Sequence, residues 1–277
     1  MDFKDYSFAH HGEVYDVLER VFAQYGINYY LVGANARDVQ LYKAGIKPSR
    51  GTADIDFAIM VPDFEAYDQL FDVLCESGFR KAQEKYRLYY EKSNTAIDLM
   101  PYGEIEQEYT VRFLDRDLTL SVLGFAEVGE KAEMFVQEGF KVPVTPVEGI
   151  LILKLVSWSD KPDWRAKDLD DISFLLQNSW EIYQEEAYNN AEYYDLFDED
   201  FDQSLAAARI IGRKMAPILQ QNAVLQERIM TLLDNAVLEK DRAQQPEIAL
   251  ADHMNKTIEE VQLLLKSIIR GIREREM

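Results

Sequence analysis

Apolar positions recur with two periods along the first 180 residues. Over residues 12–25, GEVYDVLERVFAQY, Val14, Val17, Leu18, Val21 and Phe22 share one helical face, and Gly26 ends the helix. Residues 29–61, YYLVGANARDVQLYKAGIKPSRGTADIDFAIMV, predict a strand, a small-residue turn, a helix, a loop and a second strand. Pro62-Asp63 then opens a helix that buries Phe64, Tyr67, Leu70, Phe71 and Leu74 and closes at Gly78. Residues 86–92, YRLYYEK, and 95–100, TAIDLM, predict a hairpin turning at Ser93-Asn94. Residues 110–144, including FLDRDLTLSVLGFAEVGE and FKVPV, predict further β structure with turns. Strands alternating with helices in this way predict an α/β (α+β) core, a mixed sheet with helices packed on it.

A second apolar block begins at Thr145-Pro146-Val147-Glu148, a capping box with proline at the first helical position. The helix runs through GILILKLVSW, where Lys154 is the one charge between Gly149 and Ser159. RAKDLDDISFLL forms the next helix, with Ile172, Leu175 and Leu176 apolar. Residues 181–202 then carry nine acids and no base, interleaved with tyrosine and phenylalanine. Such a run is a solvated helix face or loop, or an acidic aromatic surface for a basic partner. The remainder is helical, with Leu205, Ala208, Ile211 and Met215, then Val224, Leu225, Ile229, Leu232 and Leu233, then Ile258, Val261, Leu264, Leu265, Ile268 and Ile269; Gln244-Gln245-Pro246 breaks between the last two helices. A catalytic domain over 1–180 and a helical domain over 181–277 is the expected division.

Composition narrows the class. The chain has 277 residues, 47% of them hydrophobic, enough for one large or two modest cores. No apolar run approaches the ~18 residues of a membrane span, and Met1-Asp2-Phe3-Lys4 opens no signal peptide. The single cysteine, Cys75, forms no internal disulfide, so the natural expectation is a cytoplasmic protein without membrane partners. A net charge of −20 argues against broad affinity for nucleic acid, since phosphate contacts dominate such binding. It leaves room for a local basic groove.

The chemistry concentrates between residues 33 and 98. Asp54 and Asp56 alternate with Ile55, Phe57, Ile59 and Val61, so the two carboxylates share one face of a strand and the apolar side chains take the other. Close like charges repel unless a cation joins them, and hard oxygen donors suit Mg²⁺ or Mn²⁺. The alternative is a D-x-D at an exposed strand end. Gly33-Ala34-Asn35 makes a tight turn into a helix carrying Arg37 and Asp38, a place where backbone N–H groups bind phosphate. Asp98, flanked by Ile97 and Leu99, either needs a partner or faces water beside Pro101-Tyr102-Gly103. The packed stem of Lys154 implies an ammonium paired with a carboxylate or a phosphate, unless it snorkels to the surface. Arg112, Arg116 and Lys131, and the cluster Arg209, Arg213 and Lys214, are further basic candidates; ion pairing with residues 181–202 competes with phosphate for the cluster.

Strand, turn, helix and a second strand reading Arg50-Gly51-Thr52-Ala53-Asp54-Ile55-Asp56 resemble the DNA polymerase β-type nucleotidyltransferase superfamily. The R-x-[ST]-x-D-I-D form, the lysine of an apolar helix and the later [RK]-D-x-x-D are most similar to the AbiEii-type nucleotidyltransferase toxins. The resemblance covers roughly the first 180 residues. It implies a Mg²⁺- or Mn²⁺-dependent transfer of a nucleoside monophosphate from an NTP to an acceptor hydroxyl. Asp54, Asp56 and Asp98 would hold metal, Asp98 also orienting or deprotonating the acceptor, and Asp168 would be a further functional acid, with Asp171 and Lys167 beside it. Gly33, Ala34, Asn35, Arg50, Thr52 and Lys154 would bind the nucleotide. Ala34 and Asn35 depart from the superfamily turn, which usually carries a second glycine and a serine or threonine. The implied acceptor is RNA, with a cognate antitoxin as partner, or a small molecule such as an aminoglycoside, which the acidic charge suits. A non-catalytic acidic binding protein is the reading from a different class.

Overall fold

A computed structural model describes residues 2–113, 118–238 and 245–275, so Arg116 and Gln244 lie outside the described residues. Contacts divide the chain into two compact units, Met1–Pro146 and Val147–Met277.

The first unit carries strands β1 (Asn28–Val32), β2 (Asp54–Met60), β3 (Phe79–Lys81), β4 (Arg87–Tyr90), β5 (Thr95–Tyr102), β6 (Thr110–Phe113), β7 (Leu118–Ser121), β8 (Glu133–Gln137) and β9 (Phe140–Val144). Its helices are α1 (Gly12–Tyr25), α2 (Gly33–Lys43), α3 (Phe64–Glu76) and α4 (Phe125–Gly129). Seven strands form one mixed sheet in the order β3-β4-β5-β2-β1-β9-β8, and β6-β7 is a separate hairpin. The pairs β2/β5 and β1/β9 are parallel; the other neighbours are antiparallel. The α/β expectation therefore holds in its particulars of sheet and helix. β2 is buried between two neighbours, and Ile55, Phe57 and Ile59 are fully enclosed. Phe57 packs edge-on to Tyr15 and Phe22 of α1, which covers that face of the sheet.

Three local readings change. Phe64 is half-exposed beside Phe113, because the helix starts at this residue and Asp63, its N-cap, accepts a hydrogen bond from the Ala66 N–H at 2.8 Å. The GFAEVG segment, expected as β structure, forms α4: the buried Tyr30 hydroxyl needs an acceptor and donates to the Phe125 carbonyl at 2.6 Å. Ahead of α1, Phe3, Tyr6 and Phe8 are buried in an aromatic cluster with Tyr42, Phe135 and Phe140. No periodic pattern announced that cluster.

The second unit contains α5 (Val147–Asp160), α6 (Ala166–Gln177), α7 (Ser179–Asn189), α8 (Gln203–Leu219), α9 (Ala223–Leu238), α10 (Pro246–Met254) and α11 (Ile258–Arg273). Helices α5 and α6, which the sequence grouped with the first domain, pack here against α8, α9 and α10. The α5 helix starts at Val147, while the Thr145 hydroxyl donates to the Leu31 carbonyl of β1 at 2.6 Å. The basic cluster is neutralised by the acidic run: Lys214 pairs with Glu186 at 3.0 Å, and Arg213 donates to Asp195 at 2.9 Å. Among the described residues no helix is long and apolar enough to cross a membrane.

Helices α8 and α11 cross at two glycines. A methyl group on Gly271 would lie 2.2 Å from the Arg209 carbonyl oxygen, and one on Gly212 would lie 2.1 Å from that of Ile268. Both obstacles are backbone, so the helices must part to admit either. Gly271→Ala is expected to destabilise the protein by about 1–3 kcal/mol despite alanine's higher helix propensity. Urea unfolding followed by circular dichroism measures this, and an unchanged midpoint would contradict the close crossing.

Candidate active site

The centre of the first unit's sheet gathers the acidic residues. On β2, Asp54 and Asp56 alternate with buried Ile55 and Phe57 and so share the opposite face. Parallel pairing sets Asp98 of β5 directly beside Asp56, and antiparallel pairing of β4 sets Arg87 beside Asp98. Residues facing each other on adjacent strands point the same way, with Cβ atoms about 4.5–5.5 Å apart. Asp54, Asp56, Asp98 and Arg87 thus occupy one patch.

Arg87 is the residue that sequence reasoning passed over. Its Nε donates to Asp98 Oδ1 at 2.6 Å and its Nη2 to Asp98 Oδ2 at 2.9 Å, a bidentate pair. The same Nη2 reaches Asp54 Oδ2 at 3.1 Å. Asp98 is buried, and burial pushes its carboxyl above the usual carboxylate range, although Arg87 opposes the shift. Hydrogen bonding to Asp98 in turn raises the guanidinium pKa further. A signal for Arg87 was present: counting back along the hairpin from Ser93-Asn94 pairs it with Asp98.

The turn from β1 into α2 supports Asp56. Gly33 has φ +67°, and a methyl group there would lie 2.2 Å from Asp56 Oδ2 and 3.0 Å from its Cγ. The carboxylate therefore occupies the space that any other residue at 33 would fill. Gly33→Ala is expected to cost about 1–3 kcal/mol in stability from the left-handed backbone and the overlap together. To admit the methyl group, the Asp56 carboxylate must swing away from the turn. Thermal unfolding of the variant checks this.

Asn35 and Thr52 converge on the backbone at the start of β2. The Asn35 amide donates to the Asp54 carbonyl at 2.6 Å and the Thr52 hydroxyl to the same oxygen at 3.3 Å. Asn35 is fully buried, and its Oδ1 has no hydrogen-bond partner. Arg37 and Asp38 form a fully buried pair, and Arg37 also donates to the Arg50 carbonyl at 3.2 Å. The Arg50 side chain is exposed, Ala34 is half-buried, and Arg112 and Lys131 lie on the surface.

Lys154 and Asp168 belong to the second unit. The Lys154 ammonium sits 3.0 Å from Asp168 Oδ1 and 2.7 Å from Asp171 Oδ2. Of the two kinds of anion that the sequence allowed this lysine, the structure supplies carboxylates. Asp168 Oδ2 is buried without a partner.

A divalent cation of the Mg²⁺ or Mn²⁺ kind needs hard oxygen donors close together. Asp54 and Asp56 fit, as hard oxygen donors on one strand face with Gly33 leaving room for the Asp56 carboxylate. Asp98 fits less well, because both of its oxygens are engaged by Arg87. Among the described residues no three His, Cys, Asp or Glu side chains are grouped to hold one ion.

Residues 16–263 match the family described as nucleotidyl transferase AbiEii toxin, Type IV TA system. No curated protein matches the sequence. Similar solved structures include two of low sequence identity. One is the solution structure of the antibiotic-resistance factor ANT(2'')-Ia, at 11% identity and a TM-score of 0.37, covering 80% of this chain and 95% of that one. The other is a crystal structure of an antigenic nucleotidyltransferase-like protein from Paracoccidioides brasiliensis, at 18% identity and a TM-score of 0.39, covering 81% and 94%.

Proposed function

The chain belongs to the AbiEii toxin family and is a nucleotidyltransferase, and from that premise we propose that it moves a nucleoside monophosphate from an NTP to an acceptor hydroxyl at the patch formed by Asp54, Asp56 and Asp98. The observation that carries the reading is the register of β2 against β5, which sets Asp98 beside Asp56 with Gly33 packed under the Asp56 carboxylate.

Asp54 and Asp56 would hold one Mg²⁺ or Mn²⁺ between them. When bound, the ion neutralises phosphate charge and orients the phosphates. The first turn of α2, from Gly33 and Ala34, offers backbone N–H groups to phosphate oxygens. The acceptor oxygen attacks the α-phosphorus, the bond from that phosphorus to the bridging oxygen breaks, and pyrophosphate departs with the bonding pair. Asp98 receives the hydroxyl proton. Its raised pKa makes it a better base than an exposed carboxylate, and its oxygens keep lone pairs beyond those facing Arg87. Asn35 and Thr52 hold the start of β2, and with it Asp54, in place.

The acceptor is RNA in this reading, as for a toxin, with a cognate antitoxin as partner. A second reading, a cationic small-molecule acceptor, is favoured by the net charge of −20. Label transfer from each of the four α-labelled NTPs to total tRNA and to a panel of aminoglycosides, with Mg²⁺ or Mn²⁺ and with chelator, distinguishes them. Label on one acceptor class that disappears in Asp56→Asn supports the site and selects the acceptor. Transfer that survives in the variant would remove the patch from the mechanism.

A further inference from the structure

We infer that Arg87 takes the place of a second divalent cation, so that this active site holds one metal ion and uses a guanidinium where paired-metal enzymes use two. The inference rests on the metal reading of Asp54 and Asp56 and goes beyond it. In two-metal sites the ions stand about 3.5–4 Å apart and share carboxylates. Here the carboxylate shared between the strands, Asp98, is chelated through both oxygens by Arg87, at 2.6 and 2.9 Å. The same guanidinium reaches Asp54 at 3.1 Å, so it bridges the two acids that a second ion would bridge.

The strand pairing makes this arrangement fixed. Arg87 enters from the strand next to Asp98, directly opposite it, and its side chain is largely enclosed. A planar guanidinium matches a carboxylate edge through two parallel N–H bonds, which lysine does not reproduce. A metal ion entering at Asp98 would have only the lone pairs that Arg87 leaves, and it would stand beside the guanidinium's positive charge. Arg87 is thus a positioning residue: it aims Asp98 and fixes the number of ions.

The test is a count of bound Mn²⁺ by equilibrium dialysis on the full chain, with each of the four α,β-methylene nucleoside triphosphates present in turn. The expected result is one Mn²⁺ per ternary complex in the wild type and two in Arg87→Gln, with Arg87→Lys remaining at one because the charge persists. Electron paramagnetic resonance of the wild type at saturating Mn²⁺ provides a reading that needs no variant, should Arg87→Gln fail to fold. An isolated-ion spectrum is expected. A spin-coupled pair in the wild type, or one ion in both wild type and a folded Arg87→Gln, would overturn the inference. Asp56→Asn separates this from the underlying metal reading: if it binds as much Mn²⁺ as the wild type, the metal site itself is wrongly placed, and the inference falls with it.

Discussion

Asp56→Asn is expected to lower nucleotidyl transfer about 10³-fold, or ~4 kcal/mol in the barrier, while leaving the protein folded. The substitution is isosteric, so Gly33 still packs against the side chain and β2 still pairs with β1 and β5. What it removes is one negative charge of the proposed cation site. Positioning and charge neutralisation supply most of the rate in phosphoryl chemistry, so the loss appears in transfer and in Mn²⁺ affinity, and hardly in thermal unfolding. Initial rates with labelled NTP, alongside an unfolding curve, measure the two effects separately. A reduction under tenfold would mean that the cation is held elsewhere.

Lys154→Met is expected to act on folding, by about 3–5 kcal/mol. Methionine fills nearly the volume of the lysine stem, so packing within α5 is kept. The ammonium, however, is the cation between Asp168 and Asp171, whose carboxylates lie 3.0 and 2.7 Å away and are largely enclosed. Removing it takes the lysine's counter-charge from two like charges on α6. Guanidinium denaturation reads the deficit, and Asp168→Asn with Asp171→Asn in the same background should return part of it. A deficit below about 1 kcal/mol would mean that solvent already screens the trio.

The sequence was most legible where periodicity and turn chemistry agreed. The alternation through Asp54 to Val61 gave the faces of β2, and Ser93-Asn94 gave the hairpin, because Asn94 readily adopts the left-handed backbone found there, φ 53°. Asp98 was legible as a carboxylate in apolar company. Arg87 was not, since a lone arginine in YRLYYEK looks like any solvated strand residue until the pairing is counted out. Asn35 was read as a substitute for a phosphate-binding hydroxyl; the structure shows its amide reaching the Asp54 carbonyl, a tertiary bond with no local signature. The aromatic cluster around Phe3 and Phe8 and the turn of helix at Phe125 were hidden for the same reason, their partners lying far along the chain. In the second unit the helices were clear, but nothing in the apolar periodicity marked Gly212 and Gly271 as the contacts of the α8–α11 crossing.

The hairpin that brings Arg87 to Asp98 also guards against its own misfolding. Leu88 and Ile97 face each other and are fully buried, while the ion pair lies one residue along on the other face. A slip of one residue in β4 would turn Arg87 into the apolar interior and Leu88 towards the less buried face. The other strand's charge would then lose its counter-ion in the same step. Mispairing is therefore penalised twice, through lost burial and through an unpaired charge. The same two residues that set the electrostatics of the patch act, during folding, as a proofreading device for the register of the sheet.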